Sequence, residues 1–107
     1  MDELLHLYNY EFEFSRHRKA RDLYCFICFT GLRYSDIRQL KHEHIKDRSI
    51  LKRIQKTQRI ETIPLNDFAL EILQRHKELQ LNCLPHISQQ KANKYIKEAC
   101  KIAEINN

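Results

Sequence analysis

Three places in the sequence hold side chains that could act on a phosphate or a metal. Arg33, in FTGLRYSDIRQL, follows the chain's single glycine and precedes a serine and an acid that suit a helix start. A guanidinium held between two helix ends can fork two hydrogen bonds onto the non-bridging oxygens of a phosphate. It can equally pair with Asp36 and cover the helix end. Lys56, in RIQKTQRIETIPL, sits among basic neighbours where the spacing predicts a hairpin tip. There its ammonium could reach into a groove as a mobile proton donor, or simply be solvated. The string His42-Glu43-His44 puts two imidazoles two residues apart. Zinc-protease helices space their histidines at i, i+4, so this string reads better as exposed polar residues ending a helix or opening the next loop. His6, His17, His76 and His86 are scattered and form no pattern.

The charge around these residues is uneven. Between Arg38 and Arg59 lie eight basic residues (Arg38, Lys41, Lys46, Arg48, Lys52, Arg53, Lys56 and Arg59) against Glu43 and Asp47, a net of +6. The whole chain carries +5, so the remainder sums to −1. A local stripe of this density suits a polyphosphate partner, whose condensed counterions it displaces. A solvated basic surface would carry the same charge.

Elements must position these groups. Asp2 and Glu3, then Leu4, Leu5, Tyr8 and Phe12, predict a short amphipathic helix with acids at its positive end. Ser15 suits the cap of a second helix running to about Phe29, with Leu23, Phe26, Ile27 and Thr30 on or near one face. Gly31 falls where that helix should stop. Ser35 suits the cap of a third helix holding Asp36, Ile37 and Leu40, which leaves Arg33 in a tight connection. The period then changes: residues 49–55 and 60–63 alternate and are rich in β-branched side chains, predicting two strands of a hairpin without a turn glycine. Asn66 suits the cap of a long helix with Ala69, Ile72, Leu73, His76 and Leu79 inward; Ser88 suits the cap of a last one carrying Ala92, Tyr95, Ile96, Ala99 and Ile102. The expected fold is mainly α with a small antiparallel β-hairpin: three helices, hairpin, two helices, in one domain over residues 1–107.

Composition agrees with that class. One glycine and two prolines in 107 residues leave few tight turns and argue against a many-stranded sandwich. A chain of this length buries about 65% of its unfolded surface, enough for one modest core. No apolar run approaches a membrane span and the start lacks a basic-then-apolar leader, so a cytoplasmic protein without membrane contact is expected. Cys25 and Cys28, inside YCFICF, are expected to be small buried side chains on a helix; Cys83 and Cys100 stand apart from them. Free thiols, no metal site and no cofactor follow as expectations.

Three strings occur in order: FTGLRYSDIRQLKHEHI, ILKRIQKTQRIETIPL and NDFALEIL. Together they resemble the first catalytic box, the lysine hairpin and the following helix of tyrosine recombinases of the phage-integrase type. RDLYCFICFTGLRYSDIRQL is particularly similar to integrases of Bacteroidetes mobile elements. The resemblance covers roughly residues 1 to 105. It implies a DNA-binding piece of an enzyme that integrates or recombines DNA by phosphodiester strand exchange. The arginine matching Arg33 would stabilise the scissile phosphate in the transition state. The lysine matching Lys56 would protonate the departing 5′ oxygen, and the acid matching Asp36 would support the site. Arg38, Lys41, Lys52, Arg53, Thr57 and Arg59 are the expected DNA contacts. Arg33 and Lys56 are expected on one concave face.

The family also needs a His-x-x-Arg box and a tyrosine nucleophile that forms a 3′-phosphotyrosyl link. No histidine here has an arginine three residues later, and no tyrosine follows such a box. The hairpin reads KTQ where KTG is common, so a wider tip is expected. The chain therefore reads as a truncated catalytic domain without the nucleophile or the separate N-terminal clamp domain, inactive alone. Its partners would be double-stranded DNA and, in the full-length protein, other protomers. An apolar face left uncovered over residues 89–103 implies self-association as well. Two other readings stay open: a non-catalytic regulator with a helix-turn-helix-like segment around Gly31, and a basic module that meets an acidic protein.

Overall fold

The structure is a computed structural model that describes residues 2–54, 57–79 and 82–104. It is mainly helical with a small three-stranded antiparallel sheet, in the order α1 (Asp2–Asn9), α2 (Ser15–Thr30), α3 (Tyr34–Arg38), a 3-10 turn (His42–His44), β1 (Ile45–Lys46), β2 (Ser49–Ile54), β3 (Arg59–Pro64), α4 (Asp67–Arg75) and α5 (Gln89–Ile102). The residues cluster into two compact units, Met1–Cys25 with Ile87–Asn107, and Phe26–His86. The chain passes from the first to the second inside α2. Among the described residues no helix is long and apolar enough to cross a membrane.

The first unit gathers α1, the start of α2 and α5 around Leu7, Tyr8, Phe12, Ala20, Leu23 and Ala99. Polar groups buried there are partnered, as a low-dielectric interior requires. Arg21 pairs with Asp22 at 2.9 Å and donates to the Tyr10 carbonyl at 2.7 Å. His17 meets Glu98 at 2.9 Å across 81 residues of sequence, and that bond holds the Glu98 carboxyl below its ordinary range. Ser88 caps α5 by accepting from Lys91 N–H at 3.2 Å. On α5, Ala99 and Cys100 are buried while Ile102 is 44% exposed.

The second unit packs Phe26, Leu32, Ile37, Leu40, Ile50, Ile54, Leu65, Ala69, Ile72 and Cys83. Thr30 closes α2 by donating to the Phe26 carbonyl at 2.8 Å, and Gly31 follows at φ +75°, the left-handed conformation glycine adopts without steric cost. The third helix starts earlier than a Ser35 cap implies. Arg33 stands at its N-cap, where its carbonyl accepts from the amides of Asp36 and Ile37, both at 3.1 Å. The predicted hairpin is present, with Ile50 opposite Ile63 and Lys52 opposite Glu61, and β1 joins it as a two-residue third strand. Alternation along β2 turns Ile50, Lys52 and Ile54 inward. Asn66 caps α4 by accepting from Ala69 N–H at 2.8 Å. That helix stops at Arg75, short of the predicted reach to Leu79, whose carbonyl instead accepts from His42 Nε2 at 2.7 Å. Cys28 is exposed rather than buried, and no disulfide joins the four cysteines.

The hairpin tip carries local strain. Gln58 sits at φ +58°, in the left-handed region that glycine adopts without steric cost. A side chain in this region costs about 1–2 kcal/mol, part of which glycine gives back through a freer unfolded chain. Gln58→Gly is therefore expected to stabilise the protein by about 0.5–1 kcal/mol, measured as a shift in the urea midpoint. A lower midpoint would contradict this account of the turn.

Candidate functional site

The second unit holds a groove of about 710 Å³. Four permanent cations line it, Arg38, Lys41, Lys52 and Arg53, together with His44 and the amides of Gln39, Gln58 and Asn82. They come from the end of α3, the connection after it, strand β2 and the hairpin turn. Lys41 is placed by an isolated antiparallel bridge to Asn82, and Cys83 N–H donates to the Leu40 carbonyl at 3.2 Å. Arg53 is steadied at the turn by donating to the Gln58 carbonyl at 2.8 Å.

Lys52 is buried, unlike the other three cations. Its ammonium lies 3.9 Å from the fully buried Asp36 carboxylate and donates to the Arg53 carbonyl at 3.0 Å. The sequence alone places Lys52 in a basic stripe; the structure makes it the inner member, fixed by an acid from α3. Asp36 thus ties the helix that follows Arg33 to the strand that leads toward Lys56.

The histidines are the residues that sequence reasoning missed. His44 Nδ1 accepts from the backbone N–H of Lys41 at 3.0 Å, so in the neutral ring the proton sits on Nε2. Burial and then the Lys52 ammonium hold its pKa below the ordinary histidine value; Lys41 adds to this and Glu43 opposes it. His86 lies 2.6 Å from Arg38 Nη2. Arginine has only donors, so in this contact His86 Nε2 is the acceptor. The spacing Arg38, Lys41, His44, each three apart, was the available signal. His42 instead braces the unit: with Nε2 donating to Leu79, its Nδ1 faces Cys83 Sγ at 3.9 Å. Burial pushes the Cys83 thiol up to about 12, which makes it a poor nucleophile.

The other expected site residues are placed as follows. Arg33 is exposed at the α3 N-cap and is not among the residues lining the groove. Lys56 lies outside the described residues, and with it the expectation that it shares a face with Arg33 and that the tip is wider. Thr57 donates to Glu61 at 3.0 Å and accepts from Arg59 N–H at 3.3 Å, which holds the β3 side of the tip. Arg59 is exposed on β3, outside the groove lining. Among the described residues no group of histidines, cysteines and acids is arranged to hold a metal ion.

Compared with family profiles, curated proteins and solved structures, the chain matches none. The chemistry of the groove therefore has to be read from its own residues. Four fixed positive charges, three amides and the His44 imidazole within one groove provide hydrogen-bond donors and a positive potential. That combination recognises oxyanions, phosphate above all.

Proposed function

We propose that the chain is part of the catalytic domain of a tyrosine recombinase and that its basic groove takes the backbone phosphates of double-stranded DNA. The observation that carries this reading is the gathering of Arg38, Lys41, Lys52 and Arg53 around one groove. The order of helix, Arg33 turn, short helix and basic hairpin supports it, because it is the arrangement the family resemblance implies. In this reading Arg33 stabilises charge on the scissile phosphate, Lys56 protonates the leaving oxygen, and Asp36 supports both through its contacts with α3 and β2. The strand break conserves its energy in a phosphotyrosyl bond, so no high-energy cofactor is required.

The helix-turn-helix alternative loses ground on length. Helix α3 has five residues, about 7.5 Å of helix, too short to lay several base-reading side chains along a major groove.

Salt dependence tests the proposal. The three exposed cations engaging phosphates, with Lys52 held by Asp36, predict a slope of log affinity against log salt of about −3, or on the order of a 40-fold loss for a fourfold rise in salt. Affinity should vary little with duplex sequence. Binding by fluorescence anisotropy at several salt concentrations supplies the measurement. Affinity that ignores salt, or no binding at low salt, would turn the reading toward an acidic protein partner.

A further inference from the structure

We propose that the open edge of β3 is a self-pairing surface: Arg59, Ile60 and Glu61 join the same three residues of a second copy, antiparallel about a two-fold axis at Ile60. The proposal is independent of what the basic groove binds.

Strand β3 has β2 on one side and, among the described residues, no strand on the other. Five of its six residues are exposed. Ile60, at 63%, is the most exposed large apolar side chain among the described residues. The ladder fixes which backbone groups face the open side. Leu65 N–H donates to the Arg48 carbonyl at 2.9 Å, one step beyond the Ser49–Pro64 pair. Hydrogen-bonded and non-hydrogen-bonded pairs alternate along an antiparallel ladder. Ile50–Ile63 and Lys52–Glu61 are thus of the first kind, and Leu51–Thr62 and Arg53–Ile60 of the second. The N–H and C=O groups of Ile60 and Thr62 therefore point away from β2, which is the template that strand addition uses.

Charge selects the occupant. An edge carrying one sign of charge repels its own copies, a common protection of edge strands. Arg59 and Glu61 instead have opposite signs, two residues apart on one face of the strand. Antiparallel pairing centred on Ile60 sets Arg59 of each copy opposite Glu61 of the other, and the two Ile60 backbones exchange both hydrogen bonds. Lys52 already stands opposite Glu61 within the chain, so the row across the joined sheet runs Lys52, Glu61, then the second copy's Arg59. On the other face the two Ile60 side chains meet. The neighbouring registers fail. Centring on Glu61 sets carboxylate against carboxylate and Arg59 against Ile63. Centring on Thr62 sets Glu61 against Ile63 and Ile60 against Pro64, which has no N–H to give. The chosen register joins two three-stranded sheets through an isologous two-fold contact. Its overlap is short, so the pairing is weak and depends on concentration.

Sedimentation equilibrium on the natural chain, from about 10 μM to about 1 mM, should show monomer and dimer in exchange. Ile60→Lys puts two ammonium groups on the axis, at a side chain exposed enough to leave the fold unchanged, and should leave monomer alone. Glu61→Arg and Arg59→Glu each set like charges across the junction and should weaken self-association roughly 10-fold or more. Mixed in equal amounts, these two variants are complementary again and should form a dimer with one chain of each. A natural chain that stays monomeric across the range would overturn the proposal. So would a dimer that Ile60→Lys leaves unchanged, since association would then lie on another surface, such as the α5 face. A mixture that associates no better than its separate components would overturn it as well.

Discussion

The Asp36→Ala variant is expected to lose about 3–5 kcal/mol of folding stability, the usual consequence of leaving a buried charge without its counter-charge. Asp36 is fully buried and Lys52 is 7% exposed. With the acid gone, the buried ammonium keeps its bond to the Arg53 carbonyl at 3.0 Å but loses its counter-charge. For a small domain with a total stability of about 5–15 kcal/mol, this is enough to depopulate the native state. The companion experiment separates charge from packing. Asp36→Leu with Lys52→Met removes both charges and keeps much of the volume, so stability should recover to within about 1 kcal/mol of the natural protein or exceed it. Urea unfolding followed by circular dichroism reads both variants. A loss below about 1 kcal/mol in Asp36→Ala would mean that the 3.9 Å pair is energetically idle.

The 107-residue chain is also expected to form no covalent adduct with DNA. In the proposed mechanism Arg33 stabilises charge and Lys56 gives a proton, and both assist a nucleophile that the sequence does not evidently provide. No histidine stands three residues before an arginine, so a second phosphate-binding arginine in that box is missing too. Loss of one charge-stabilising donor alone costs about 10²–10³ in rate, and groups that act as one unit do not contribute independently. The assay is a nicked suicide duplex carrying a recombination site of the kind the proposal implies, run on a denaturing gel. An adduct that disappears on Tyr34→Phe or Tyr95→Phe would show that a tyrosine of this chain is the nucleophile. Turnover that appears only when a segment with His-x-x-Arg and tyrosine is supplied in trans would support the proposed division of the site.

Local chemistry made much of the fold legible. Gly31 marked the end of α2, Asn66 and Ser88 marked two helix starts, and the switch from helical to alternating periodicity marked the β2–β3 hairpin. These signals act over one or two turns of chain and need no tertiary partner. The departures depend on contacts distant in sequence. The apolar spacing of α4 continues to Leu79, but His42, 37 residues away, takes the Leu79 carbonyl. Strand β1 is the exception: it pairs Ile45 with the nearby Ile50, but at two residues it is too short to show a period. Within the site, the basic stretch showed the charge and not its depth. Nothing local distinguishes the buried Lys52 from the exposed Arg53 beside it except the parity of β2. His86 meets its partner, Arg38, across 48 residues of sequence.

The division of the chain also bears on how the molecule assembles itself. Residues 26–86 form one continuous segment, whereas the other unit joins the first 25 residues to those from 87 onward. As the chain leaves the ribosome, the whole of the continuous segment is present before α5 appears. The split unit must wait for α5 and then close a span of 61 residues. As flexible chain, that span would cost roughly 3–4 kcal/mol in closure entropy beyond the constant term. Once residues 26–86 have folded, the span is no longer a flexible loop and much of that cost is already met. The basic groove and its hairpin should therefore acquire native structure first, with α1, the start of α2 and α5 coming together later as a slower, longer-range step.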